Sequence, residues 1–173
     1  MANTNAPMGF RLVLTGGHEP IRRKRPVNTD NANAIAPGDA YTIQADGTVT
    51  RCDNAHPPNG VVEGIDLEGV DEGPVSRDYL PAGIAGNIIG FEDPTAQFEV
   101  QTNAVIPLTA FDTGAEVNIV DAAPNAIPAQ SRQQVGDVGG NQFRLVGSID
   151  RPLNTPFIQY AKVTVGLIPA NVQ

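Results

Sequence analysis

A chain of 173 residues with 40% hydrophobic residues is long enough to bury one core, and 19 acidic against 11 basic side chains give it a net charge of −8. That balance argues against a general nucleic-acid binder, whose phosphate contacts need basic residues spread over a face, and a single cysteine excludes an internal disulfide. No stretch reaches the roughly 20 apolar residues of a membrane helix, and the first residues lack the charged and apolar regions of a secretory signal, so a soluble, unprocessed protein made in a cytoplasm is expected.

Eighteen glycines and fifteen prolines punctuate the chain from end to end, leaving room for strands of about five or six residues and for few helices. In chain order the candidate strands are residues 10–15, a hairpin of 40–44 and 48–51 around Ala45-Asp46-Gly47, then 60–65, 87–91, 97–101, 116–120, 142–146 and the final run 157–168. Alternation in Gln97-Phe98-Glu99-Val100-Gln101 places Phe98 and Val100 on a core face and Gln97, Glu99 and Gln101 toward solvent or a partner. Residues 66–83 read as an exposed acidic loop carrying Glu68, Asp71, Glu72 and Asp78, and 129–135 is the one window compatible with a helix, about two turns long. Eight or nine short strands without intervening helices define an all-β fold class: an antiparallel β-sandwich or barrel, with the jelly roll as its leading member.

Residues 16–38 hold no convincing strand. Within them Arg22, Arg23, Lys24 and Arg25 stand together between Pro20 and Pro26, and a proline at each end disfavours helix and keeps the backbone extended. The other seven basic residues face nineteen acids, so this stretch is a cationic island on an acidic body. The expected organisation is an N-terminal strand and extended basic arm over residues 1–38 and a β-sandwich or barrel domain over 39–173. Docking of Arg22, Arg23, Lys24 and Arg25 to an acidic neighbour leads over a solvated loop and over contact with nucleic acid. Replacing the four by serine is expected to weaken that docking and leave the fold intact.

The inventory for catalysis is thin, and the expectation is a protein that is not an enzyme and uses no cofactor. His18 and His56 are the only histidines, and both sit in Gly/Pro-rich surroundings with no nucleophile motif beside them. Cys52 and His56 have a C-x3-H spacing, but no second Cys/His pair completes a tetrahedral metal set. Glu63, Asp66, Glu68, Asp71 and Glu72 could present oxygens to a hard cation but lack EF-hand spacing, and solvated loop charge is the better reading. Gly136-Asp137-Val138-Gly139-Gly140 has no Lys-Ser/Thr ending and Gly83-Ile84-Ala85-Gly86 no following helix, so both read as turns instead of phosphate cradles.

Several blocks carry a resemblance. Asp93-Pro94-Thr95-Ala96-Gln97-Phe98-Glu99-Val100-Gln101, residues 114–122, and the run from Gln142-Phe143-Arg144-Leu145-Val146 to Asn154 resemble successive blocks of small structural proteins of tailed bacteriophages. The opening Met1-Ala2-Asn3-Thr4-Asn5-Ala6-Pro7-Met8-Gly9-Phe10 and the passage from Ala36-Pro37-Gly38-Asp39 through Gly60-Val61-Val62-Glu63-Gly64 resemble the same group, so the likeness spans most of the chain. The resemblance implies a capsid decoration, or cement, protein: a β-sandwich on the outside of the phage head that bridges major capsid subunits and acts as a homo-oligomer, dimer or trimer. The basic island is not a part that the resemblance matches. The alternative is a carbohydrate-binding β-sandwich module associated with a head or tail fibre, which the absence of tryptophan weakens.

Overall fold

The computed structural model describes residues 8–53, 55–66, 79–126, 129–149 and 159–169. Among them the chain runs β1 (Arg11–Leu14), β2 (Arg22–Val27), β3 (Ala40–Ile43), β4 (Val49–Arg51), β5 (Gly60–Asp66), β6 (Gly86–Phe91), β7 (Gln97–Gln101), α1 (Leu108–Asp112), β8 (Glu116–Val120), β9 (Asn125–Ala126), β10 (Ala129–Gln130), β11 (Gln134–Val138), β12 (Phe143–Ser148) and β13 (Lys162–Leu167). Every ladder between these strands is antiparallel. They form a six-stranded sheet in the order β1-β7-β13-β12-β8-β11, a five-stranded sheet in the order β2-β6-β5-β3-β4, and a small β9-β10 ladder.

The two large sheets pack face to face as a β-sandwich. Period-two alternation supplies the shared core: Val117 and Ile119, Phe143 and Leu145, and Val163, Val165 and Leu167 from one sheet meet Ala40, Val61 and Phe91 from the other. Phe91 and Phe98 cross the gap with ring centroids 6.4 Å apart, and Phe10 stacks on Phe143 at 4.5 Å. The opposite face of the five-stranded sheet is also buried, because Ile35 and Leu80 pair as a lone bridge and cover Tyr41, Val62 and Ile88. Tyr41 lies against Gly60 and Gly90, and a Cβ at either position would overlap its ring. These two glycines therefore give the ring its place on the sheet.

Hairpin chemistry fixes the local register where the sequence signals it. The β3–β4 turn places Gly47 at φ 84° while Asp46 Oδ1 accepts hydrogen bonds from the Thr48 backbone at 2.9 Å and hydroxyl at 2.7 Å. The strand order departs from a jelly roll. Strands β2 to β6 build one sheet and β7 to β13 with β1 the other, with the β9-β10 ladder apart, whereas a jelly roll alternates between sheets.

Three local expectations are corrected. Residues 129–135 are not helical: they run through β10 into β11, where pairing with β8 and the side-chain bonds of Gln133 outweigh the helix propensity of an Ala/Gln-rich window. Glu99 and Gln101 do not face solvent, since both are buried, Glu99 against Lys162 at 3.0 Å and Gln101 with its amide donating to the Tyr160 carbonyl at 3.2 Å. The basic stretch is not a free arm. Arg22 to Val27 pair residue by residue with β6, so among the described residues the expected 1–38 is not set apart from 39–173: β1 belongs to one sheet and β2 to the other. The Asp66-to-Gly83 loop falls mostly outside the described residues, with Glu68, Asp71, Glu72 and Asp78.

Candidate functional site

Strands β1 and β2 end their sheets on the same side of the sandwich, because β1 lies on β7, β2 lies on β6, and the short segment 92–96 joins β6 to β7. The connection between them is tied to that corner. Glu92 N–H donates to the Ile21 carbonyl at 3.0 Å, Ile21 N–H to Asp93 Oδ2 at 3.4 Å, and Gly16 N–H to Thr95 Oγ1 at 3.1 Å. Burial works to raise the Asp93 pKa, but hydrogen bonds from the Thr95 hydroxyl (2.7 Å) and backbone (2.8 Å) outweigh it and hold the carboxyl below its usual value.

The four basic residues of β2 divide by strand alternation. Arg22 and Lys24 reach acids of β5, Arg22 Nε donating to Glu63 at 2.8 Å with its guanidinium 5.4 Å from the Phe91 ring centre, and Lys24 Nζ lying 2.6 Å from Asp66. Arg25 grips Glu92 with both Nε (2.7 Å) and Nη2 (2.6 Å), and Tyr41 donates its hydroxyl to the same carboxylate at 2.7 Å. The hydrogen bond to Glu92 raises the Arg25 pKa further, and burial followed by that bond raises the Tyr41 pKa well above the phenol range. Arg23 is exposed and makes no ion pair among the described residues, and the same is true of Arg11 on β1. Exposed pairs such as Arg22–Glu63 contribute about 0–1 kcal/mol. The Arg25–Glu92–Tyr41 cluster differs because the Glu92 side chain is only 2% exposed.

Apolar surface gathers on the same side. Met8, Val13, Leu14 and Ile21 are four of the eight exposed large hydrophobics among the described residues, and each is more than 40% exposed. A hollow of about 290 Å³ lies beside β1, with Met8, Phe10, Leu12, Phe91 and Val100 giving it an apolar lining. The two strand edges differ in chemistry. Strand β2 carries the Lys24 and Pro26 that typically blunt an edge, whereas Leu12-Val13-Leu14 of β1 has neither. The sequence reading missed this patch, although the unbroken apolar run of β1, lacking the alternation of a half-buried strand, was the available signal.

The remaining candidate residues do not converge. Cys52 is buried, its thiol pushed up to about 12 by burial, and it donates to the His56 carbonyl at 2.9 Å. The His56 ring turns away to Asp53 at 2.9 Å and is largely exposed, so the C-x3-H pair does not present two ligands to one point. No group of three His, Cys, Asp or Glu side chains with metal-holding geometry occurs among the described residues, and no helix there is long and apolar enough to cross a membrane. His18 Nε2 lies 3.3 Å from Thr95 Oγ1 and its Nδ1 3.5 Å from Asp93, which mimics a nucleophile-base-acid order. Thr95 instead donates its proton to Asp93, and His18 Nδ1 sits 2.8 Å from the Glu19 carbonyl, so nothing activates the hydroxyl. Residues 136–140 contribute to β11 and the Gly139 turn, at φ 106°, that follows it.

A second concavity, about 450 Å³, has a mixed wall in which Asn28, Asp30, Gln44, Asp46, Thr48 and Thr50 stand with Ala32, Ala45 and Val49. Comparison with protein-family models, curated proteins and solved structures produced no match to this chain.

Proposed function

We propose that the protein is a structural virion component, a decoration or cement protein that binds the outer surface of a phage head, bridges major capsid subunits and works as a homo-oligomer. The observation that supports the reading most is the concentration of exposed apolar residues, Met8, Val13, Leu14 and Ile21, beside β1 and β2, which end their sheets among the described residues. Such a side is suited to a large protein surface, since a free edge offers backbone donors and acceptors and the apolar residues offer area to bury. Binding the assembled shell in preference to free subunits adds the binding free energy to shell stability by mass action, and several sites acting together raise avidity.

The role of the basic residues narrows under this reading. Arg22, Lys24 and Arg25 are committed to acids near them in the sheet, which leaves exposed Arg23 on β2 and exposed Arg11 on β1 to meet an acidic capsid surface. Capsid contact through all four is thus replaced by contact through Arg23, with the others shaping the edge. The test strips the protein from purified heads and adds it back. Restored occupancy with a higher temperature of head disruption supports cementing, and heads indifferent to its presence refute it.

The second hollow favours the second reading, a fibre-associated carbohydrate-binding module, because the amide, carboxylate and hydroxyl groups in its wall match sugar hydroxyls. Its named wall residues include no aromatic platform, so it ranks behind. A glycan array with a saturable hit lost on Asp46→Ala would reverse that order.

A further inference from the structure

The hollow beside β1 is framed by backbone. Residues 8–10 pass hard against the 36–38 turn: Gly9, at φ 67°, has no room for a Cβ beside Ser131 and Gly38, and Phe10 N–H donates to the Gly38 carbonyl at 2.8 Å. Gly38 N–H in turn donates to the Val62 carbonyl at 2.8 Å, which ties the turn to β5. The walls thus come from both sheets, and each bordering strand carries a bulge there, β1 between Leu12 and Leu14 and β5 between Val62 and Gly64. Walls of hydrogen-bonded backbone fix the shape of the hollow before anything enters it, which lowers the cost of occupation.

Size and lining select the occupant. A volume of about 290 Å³ lies at the lower limit of the roughly 300–1,000 Å³ of small-molecule sites, whereas a cavity of about 150 Å³ is enough for benzene. A phenyl ring with its stem therefore fits, and buried Phe10, Phe91 and Val100 offer it an apolar bed with two rings to pack on. Of the charged side chains in the lining, Glu63 is held by Arg22 and Glu99 by Lys162, whereas exposed Arg11 makes no ion pair among the described residues. The charge left to be met is one guanidinium, which calls for a carboxylate beside the ring. Met8, 54% exposed, lines the hollow and Leu12 precedes exposed Val13 and Leu14, so the hollow is continuous with the apolar side described above. We propose that this hollow is the anchor site for the capsid partner, taking an aromatic side chain from a segment in which an adjacent acidic residue pairs with Arg11. The proposal rests on the cementing reading and names the partner's chemistry. A second copy of this chain fits less well, because none of the exposed large hydrophobics among the described residues is aromatic.

The experiment titrates the full chain with the capped dipeptides acetyl-Phe-Glu-amide, acetyl-Phe-Gln-amide and acetyl-Ala-Glu-amide, and follows the Leu12 and Val100 methyl signals by NMR. Burial of the ring predicts about ten- to hundredfold weaker binding of the Ala-Glu peptide. An exposed ion pair predicts about two- to fivefold weaker binding of Phe-Gln than of Phe-Glu, a difference that Arg11→Gln is expected to abolish. Leu12→Trp fills the hollow from its own wall and, once urea unfolding shows it folded, is expected to lose the peptide and to bind stripped heads at least about tenfold more weakly. The anchor site is overturned if Phe-Glu leaves the methyl signals unmoved, if Arg11→Gln keeps the preference for glutamate, or if folded Leu12→Trp rebinds heads like wild type. Each of those results leaves the cementing reading standing. Peptide binding with heads indifferent to the wild type would instead refute cementing, and with it the capsid as the source of the segment. Self-association of the free protein that Leu12→Trp abolishes, or tighter peptide binding after removal of residues 1–7, would give the hollow to a second copy or to the start of the chain and overturn the proposal.

Discussion

Replacing Arg25 by serine separates a structural role for the basic stretch from a purely docking one. In the folded protein the Glu92 carboxylate, 2% exposed, is held by two hydrogen bonds from Arg25 and one from the Tyr41 hydroxyl. Serine at 25 removes the only charged partner among those three contacts. Removing one member of a buried pair costs about 3–5 kcal/mol, and because the Arg25 side chain is 27% exposed, water tempers the loss to about 2–4 kcal/mol. With an m-value of roughly 2 kcal/mol/M, the urea midpoint moves down by about 1–2 M. Arg23→Ser, on the same strand but exposed and without an ion-pair partner among the described residues, is expected to stay within about 0.5 kcal/mol of wild type. Adding Glu92→Gln to Arg25→Ser restores part of the loss by removing the stranded charge. A midpoint for Arg25→Ser equal to that of Arg23→Ser would refute the reasoning.

Other consequences are equally direct. Gly90→Ala sets a methyl group into the buried Tyr41 ring and is expected to cost about 1–3 kcal/mol by denaturant unfolding; no loss would mean that the ring has room to move. Gln133→Ala removes a side chain that bonds the Ala40 N–H and the Cys52 carbonyl, leaving buried groups unsatisfied at about 1–3 kcal/mol each, measured in the same way. Cys52, buried with its thiol pushed up to about 12, is expected to react with a thiol reagent only after unfolding, so a burst of modification in native buffer would contradict its placement.

The fold class was legible because alternation and turn chemistry are local. Strand β7 has the bounds that its polar-apolar alternation suggests, and the β3–β4 hairpin forms around Asp46 and Gly47. What escaped depends on partners distant in sequence. Arg22-Arg23-Lys24-Arg25 has no alternation of apolar and polar residues, so nothing local marks it as a strand; its partners Glu63, Asp66 and Glu92 lie about 40 to 70 residues away. Residues 129–135 misled for the same reason, since their helix propensity is local whereas the bonds of Gln133 to Ala40 and Cys52 are not. Glu99 and Gln101 show the limit of alternation itself, which separates the two faces of a strand but leaves open what covers the second face. In the candidate site, charge drew attention to β2, whereas the side gains its apolar character from β1 and Ile21, in a stretch that reads as one more core strand followed by a loop.

Occupancy of stripped phage heads by the purified protein, compared with a Val13→Lys/Leu14→Glu variant, tests the docking account most directly. The exposed positions of Val13 and Leu14 let the variant fold, so the two proteins are expected to unfold at similar urea concentrations. The account predicts that wild type rebinds and raises the disruption temperature of the heads, and that the variant does neither. Full rebinding by the folded variant, or wild-type occupancy with no gain in head stability, would contradict it.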